Sequence, residues 1–106
     1  MQIAEDENNL VWAESEHGSV YQDEWIHLAG TFKQNESIKI YINGQLAGEN
    51  TDNIPAGQYN NSLDIMIGMR PDNICPFEGT IDDVRVYDKA LNQEKVIELY
   101  NEYANY

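Results

Sequence analysis

The sequence predicts an all-β chain of antiparallel strands that ends in a short α-helix. Isoleucines alternate with polar or aromatic residues over positions 38–42, which is typical of a half-buried strand. The Asn43-Gly44 pair follows at once and is the strongest short-range signal for a β-hairpin, so Leu46 is expected to lie on a returning strand. Residues 77–87 then have the composition of a long strand and pass directly into an amphipathic helical pattern.

The first third of the chain contains two further strand candidates. Residues 10–13 predict a short strand, and Gly18 marks the turn that follows it. Residues 25–33 predict a strand with apolar side chains on both faces, a pattern typical of a strand that is covered on both sides. Residues 1–9 are polar and acidic without a period of either kind, so they are predicted to be a flexible tail.

His27 lies on the same face of the second of these predicted strands as Trp25. An imidazole in this place has two interpretations. It is either a metal ligand or base, or a ring held beside the tryptophan with a backbone partner. The second interpretation is favoured because no other histidine or carboxylate sits at ligand spacing from it.

The middle of the chain predicts two loops around one strand. Residues 49–62 form a long polar stretch that is either a binding loop or a plain linker. Residues 63–67 alternate between apolar and polar side chains and predict a strand. Residues 69–76 are rich in turn formers, so they predict a rigid polar loop that closes a hairpin with the strand at residue 77.

The C-terminal region predicts a helix that packs on the sheet. Asn92 is a natural N-cap, and the apolar residues after it recur at intervals of three and four, as in Val96, Leu99, Tyr100 and Tyr103. We expect about three turns at most. In the preceding strand, strict alternation places Asp82 on an apolar face, so either a β-bulge shifts the register there or a carboxylate lies among apolar side chains.

Composition limits the classes of function. The chain has 106 residues, enough for one domain, and its net charge of −13 makes nucleic-acid binding and attachment to anionic membranes unfavourable. No apolar run reaches the length of a membrane span. The negative charge favours cations such as Ca²⁺ or, more simply, keeps the surface soluble. Cys75 is the one cysteine, so the chain has no internal disulfide.

Three segments together resemble a known family. They are Phe-x-Gly-x-Ile-Asp-Asp-Val-Arg-Val-Tyr at residues 77–87, Trp-x-His-Leu-Ala-x-Thr-Phe at 25–32, and Ile-Tyr-Ile-Asn-Gly at 40–44. In order and spacing they resemble the C-terminal part of the laminin-G-like jelly-roll domains of the concanavalin A-like lectin/glucanase superfamily. The resemblance implies an antiparallel β-sandwich of the jelly-roll type, with residues 1–106 as a single domain that lacks its N-terminal strands. We therefore expect the chain either to pair with another chain, for example as a homo-oligomer, or to be part of a larger polypeptide.

The resemblance also implies a function. It predicts a non-catalytic carbohydrate-binding or adhesion module of an extracellular or cell-surface protein. The alternative is a structural module that completes its sandwich with another chain and binds no glycan. Sugar sites combine exposed aromatic rings with amides and carboxylates, which two predicted loops supply. The predicted ligand-binding residues are Tyr59, Asn60, Asn61, Asp72 and Asn73.

Asp82 and Asp83 have three interpretations. A retaining glycosidase needs two carboxylates about 5 Å apart across the scissile bond, but neighbours on a strand point to opposite faces, so these two cannot form such a pair without a β-bulge and catalysis is not expected. Members of the family often bind structural calcium, which implies Asp82 or Asp83 as ligands. In the third interpretation Asp83 pairs with Arg85 or with a lysine on the neighbouring strand, or it caps backbone amides.

Overall fold

The computed structural model describes residues 1–4, 10–58, 66–69 and 76–104. It contains antiparallel strands and one C-terminal helix, as the sequence predicts. The strands form a two-stranded sheet, β1-β2, and a three-stranded sheet, β3-β4-β5. The elements are β1 (Gln2–Ala4), β2 (Leu10–Trp12), β3 (Leu28–Lys33), β4 (Ser37–Ile42), β5 (Gln45–Asn50) and α1 (Gln93–Ala104). Among the described residues, no helix is long and apolar enough to cross a membrane.

The hairpin of β4 and β5 is confirmed, and its turn has the expected geometry. Asn43 and Gly44 both lie in the left-handed region, with φ of 50° and 79°, as a type I′ turn requires. The register between the two strands shifts between Ile40 and Tyr41, because β5 carries one extra residue there, Ala47. The sequence pattern does not indicate this shift. This β-bulge bends β5 and increases the local twist of the sheet.

Strand β4 is covered on both faces, although its alternating sequence predicts a half-buried strand. Ile38 is 0% exposed, and Tyr41, on the opposite parity, is 2% exposed. A core of Ala13, Ile38 and Ile54 forms on the Ile38 side, with Phe32 partly buried against it. The central strand therefore takes part in packing on two sides of the sheet.

Strand β2 and the residue after it are hydrogen-bonded to the end of the three-stranded sheet and to Met1. The amide of Ala13 donates to the Met1 carbonyl over 2.9 Å, and the Met1 amine donates to the Ala13 carbonyl over 2.8 Å. The Asn50 side chain at the end of β5 donates to the Trp12 carbonyl over 2.9 Å. These contacts place Ala13, which is 3% exposed, over the core.

The first part of the long polar stretch, predicted as a binding loop or linker, is anchored in the core. Ile54 is 8% exposed, and the Asn35 amide donates to the Pro55 carbonyl over 3.0 Å. A single isoleucine in a polar stretch gives no periodic signal, so the sequence does not reveal this anchor. Residues 59–62 of the stretch lie outside the described residues.

Two predictions about the first third of the chain are corrected. Gln2–Ala4 pair with Leu10–Trp12, so this part of the predicted tail is a strand, while residues 5–9 lie outside the described residues. The strand predicted over residues 25–33 begins only at Leu28, and it is not covered on both sides, because Trp25 is 59% exposed and Leu28 is 60% exposed.

The long strand predicted over residues 77–87 is also corrected. The described residues 76–92 contain no strand, and the same is true of residues 66–69, while residues 63–65 of the preceding predicted strand lie outside the described residues. A strand requires a hydrogen-bonded neighbour, and none faces residues 77–87 among the residues described. Asp83 has a φ of 55°, so the backbone departs from strand geometry at the place where alternation predicts an irregularity.

Helix α1 confirms the prediction for the C-terminal region. The Asn92 side chain accepts a hydrogen bond from the Lys95 amide over 2.9 Å, which is the N-cap contact. The helix has 12 residues, a little over three turns, and Val96 on its inner face is 0% exposed.

Candidate functional site

The residues predicted to bind a ligand lie outside the described part of the chain. These are Tyr59, Asn60, Asn61, Asp72 and Asn73. The chain on either side of the second loop is described, and there the Phe77 amide donates to the Gly68 carbonyl over 2.7 Å. Neither Gly68 nor Phe77 lies in a strand, so this single bond does not confirm the predicted hairpin. The sugar-binding role of the five residues stays a prediction.

Asp82 and Asp83 have separate partners. The Asp82 carboxylate accepts a hydrogen bond from the Asp83 amide over 2.8 Å. The Asp83 carboxylate accepts two from the Arg85 guanidinium, one from Nε and one from Nη2, each over 3.2 Å. This bidentate geometry is the strong form of the pair, so the interpretation in which Asp83 pairs with Arg85 is confirmed.

The surroundings of Asp82 and Asp83 are relevant to the predicted binding of calcium. A Ca²⁺ ion takes six to eight oxygen ligands, several of them from carboxylates. Among the described residues, no three or more His, Cys, Asp or Glu side chains are grouped so that they could hold a metal ion. Calcium binding through Asp82 or Asp83 therefore stays a prediction.

Arg85 joins residues 82–87 to helix α1. Its Nη1 lies 3.4 Å from Oε2 of Glu102, and its side chain is also hydrogen-bonded to Tyr87 and Asp83. These bonds, that to Tyr87 first, raise the pKa of Arg85 above its ordinary value, so its positive charge is fixed. The ion pairs of Arg85 with Asp83 and Glu102 are exposed to solvent, and each contributes little to stability by itself.

His27 lies where the hairpin turn meets helix α1. Its amide donates to Oδ1 of Asn43 over 2.9 Å, and the Asn43 amide donates to the His27 carbonyl over 2.8 Å. Its ring centroid is 6.1 Å from that of Tyr100 and 6.2 Å from that of Tyr103. The predicted backbone partner is present, but the ring packs against two helical tyrosines. Both tyrosines belong to the apolar face of the helix that the sequence predicts, and this pattern indicates that they pack inward.

The environment of His27 disfavours its charged form. Nδ1 is buried and has no hydrogen-bond partner among the described residues. Burial lowers the pKa of His27 below its ordinary value of 6.5, and the positive charge of Arg85 lowers it further, while the negative charge of Asp83 acts in the opposite direction. Tyr100 and Tyr103 face the ring from helix α1. A proton on this ring therefore destabilises the folded state relative to the unfolded chain.

We expect the protein to lose stability as the pH falls from 7.5 to 5.5. In the unfolded chain His27 titrates near its ordinary pKa of 6.5, and in the folded chain below it, so the unfolded state binds more protons in this range. One proton limits the slope to about 1.4 kcal/mol per pH unit, and solvent screening of the partly exposed ring reduces it. Thermal melts at several pH values measure this slope.

His27→Phe keeps an aromatic ring against the helix but removes the titration, so its melting temperature should change less over this range than that of the unaltered protein. His17→Gln, in an exposed turn, is the matched control and should keep the full dependence. An equal pH dependence in the His27→Phe variant and the unaltered protein would show that His27 is not the group whose protonation lowers the stability.

A large open groove lies between β3 and the segment of residues 77–91. Its volume is about 1930 Å³. Residues 20–34, which include β3, form one wall, and residues 77–91 form the other. Many of its apolar side chains are exposed to solvent, including Trp25 at 59%, Leu28 at 60% and Val86 at 90%. Exposed apolar surface of this extent is typical of an interaction site.

Comparison with known proteins assigns the fold family. A laminin G family model of the concanavalin A-like lectin/glucanases superfamily matches residues 3–97. The chain belongs to this superfamily. The match extends over both sheets and into helix α1, and it includes the three segments that carry the resemblance in the sequence.

Two known proteins that are similar to this chain are an adhesion receptor and an S-layer domain-containing protein. The human adhesion G-protein coupled receptor D1 is 27% identical over 74 residues, which are 68% of this chain and 8% of the receptor. The crystal structure of residues 221–444 of an S-layer domain-containing protein from Clostridium thermocellum superposes with a TM-score of 0.56 at 27% identity, covering 78% of this chain and 42% of that one. The chain thus spans less than half the length of either.

Proposed function

We propose that this laminin-G-like chain is a non-catalytic recognition module that binds carbohydrate or protein at an extracellular or cell surface. The observation that carries the proposal is the family match over residues 3–97. The similarity to an adhesion receptor and to an S-layer domain-containing protein supports a surface location. The net charge of −13 favours ligands that are neutral or positively charged over phosphate-rich ones.

Carbohydrate is the proposed ligand class, and the two polar loops are its proposed site. One loop supplies Tyr59, Asn60 and Asn61, and the other supplies Asp72 and Asn73. A tyrosine ring offers a flat apolar surface to a sugar, while amide and carboxylate groups bind its hydroxyls. Calcium, with Asp82 or Asp83 among its ligands, is proposed as a structural ion of the same module.

The test is a glycan array, followed by calorimetry on any glycan that binds. A variant with alanine at the five loop residues is expected to bind that glycan at least tenfold more weakly. The matched control is Thr51→Ala with Asp52→Ala, two exposed positions in the described part of the first loop, and it should bind normally. Equal affinity of the five-residue variant would place the site elsewhere. An array without binding would contradict a carbohydrate ligand.

The calcium proposal is tested within the same experiment. The array and the calorimetry are repeated on the unaltered protein with a calcium chelator. They are also repeated on a double variant that combines Asp82→Asn and Asp83→Asn. Calcium should raise the melting temperature of the unaltered protein but not that of the double variant. An equal rise in both would remove Asp82 and Asp83 from the ligand set.

A second candidate function is a structural module that completes its sandwich with another chain. The exposed groove beside β3 favours it, since apolar surface of that size is normally covered.

A further inference from the structure

We propose that the groove between β3 and residues 77–91 binds a β-strand from a polypeptide other than a second copy of this chain, and that this strand has alternating apolar residues with lysine or arginine at its ends. The inference goes beyond the recognition of glycans, because it concerns the groove alone and holds whether or not the polar loops bind sugar. It specifies the surface and the kind of partner for the structural role.

The edge of β3 is the first reason. Strand β3 pairs with β4 on one side and, in the described part of the chain, with nothing on the other. All six residues of β3 line the groove. Because successive side chains point to opposite faces, a groove that is lined by six consecutive residues follows the edge of the strand. An unpaired edge offers backbone N–H and C=O groups to an added strand.

The size of the groove is the second reason. Pockets for small molecules measure about 300–1,000 Å³. At about 1930 Å³, this groove is roughly twice the upper end of that range, so it is suited to a segment of polypeptide. Its far wall carries Val84 at 52% and Val86 at 90% exposure, and its near wall carries Leu28 at 60%. An added strand with alternating apolar residues would cover these side chains.

The charge of the groove determines the kind of strand. Among the described residues, the carboxylates that line the groove are twice as numerous as the basic side chains. The carboxylates are Asp23, Glu24, Glu78, Asp82, Asp83 and Asp88, and the basic side chains are Lys33, Arg85 and Lys89. Two of the basic groups already have acidic partners, since Lys33 lies 3.0 Å from Glu36 and Arg85 pairs with Asp83 and Glu102. The excess negative charge attracts lysine and arginine at the ends of the bound strand.

The same charge argues against a second copy of the chain as the occupant. A dimer formed through this groove would bring together two chains that each carry a net charge of −13. Like charges that face each other across an interface cost several kcal/mol. A basic strand from another polypeptide replaces this repulsion with attraction.

The experiment uses three synthetic peptides of nine residues. The first alternates valine and threonine and has a lysine at each end. In the second, glutamate replaces both lysines, and in the third, alternate backbone amides are N-methylated so that they cannot donate. Trp25 lines the groove, so its fluorescence reports binding in a Trp12→Phe background. We expect the lysine peptide to bind with a shift of Trp25 emission to shorter wavelength, and the other two to bind at least tenfold more weakly.

Variants of the protein locate the bound peptide. Leu28→Gln and Val86→Gln make opposite walls of the groove polar, and each should weaken binding of the lysine peptide several-fold. Leu46→Gln changes a similarly apolar residue, 45% exposed on β5 outside the groove lining, and should leave binding unchanged. Circular dichroism confirms that each variant is folded.

The proposal is overturned if the lysine peptide does not bind, or if either of the other peptides binds as tightly. A dimer in light scattering at neutral pH that Leu28→Gln or Val86→Gln converts to a monomer would also overturn it, because a second copy would then occupy the groove. Because none of these measurements involves a glycan, they succeed or fail independently of the array.

Discussion

Replacing Ile38 by alanine is expected to lower the free energy of unfolding by about 2–5 kcal/mol, the usual cost of removing a large aliphatic side chain from a packed core. Ile38 is 0% exposed and packs with Ala13 and Ile54, which come from distant parts of the chain. A small domain has a total stability of about 5–15 kcal/mol, so this loss is a large fraction of the whole. Urea denaturation followed by circular dichroism measures it.

Two further variants control this prediction. Ile38→Val removes one methylene and should cost only about 0.5–1.5 kcal/mol. Leu46→Ala, on the neighbouring strand at 45% exposure, leaves no enclosed cavity and should cost less than Ile38→Ala. If Leu46→Ala destabilised the protein as much as Ile38→Ala, the core would not be centred on β4.

Replacing Gly48 by alanine is expected to cost about 3 kcal/mol, at the upper end of the range for overpacking. A Cβ at Gly48 would overlap the carbonyl oxygen of Glu14 and would lie 2.7 Å from its carbonyl carbon. Both atoms belong to the backbone, so no side-chain rotation relieves the overlap. The segment after β2 must therefore move away from β5, and Ala13 with it.

Gly57→Ala is the matched control for this change. Apart from its two chain neighbours, no atom of the described residues lies within 4 Å of a Cβ built at Gly57, and its backbone is not in the left-handed region. That substitution should raise the free energy of unfolding by less than about 1 kcal/mol, because alanine restricts the unfolded chain. Equal denaturation midpoints for the two variants would mean that β5 does not approach Glu14 closely.

Features that depend on neighbours in sequence could be predicted. The Asn43-Gly44 turn and the Asn92 cap each follow from local geometry, and the Asp83–Arg85 pair joins residues only two apart. Features that depend on distant parts of the chain could not. The partner of Arg85 on helix α1, Glu102, is 17 residues away, and no pattern in either segment indicates the contact.

The buried state of Tyr41 illustrates a second limit. Alternation places Tyr41 opposite Ile38 and predicts an outward side chain, yet it is 2% exposed. The adjacent bulge alters the register, and packing covers the second face of β4. The error over residues 77–87 has the opposite cause. Their composition is that of a strand, but composition does not supply the neighbouring strand on which a ladder depends.

The unpaired edge of β3 has a consequence for the colloidal behaviour of the isolated chain. An exposed edge beside apolar surface is a template for association with further copies. At neutral pH, mutual repulsion between chains of charge −13 opposes this association. The repulsion disappears towards the isoelectric point near pH 4.2, where the groove loses its electrostatic protection. Acidic residues that contribute little to folding thus protect the sheet from aggregation.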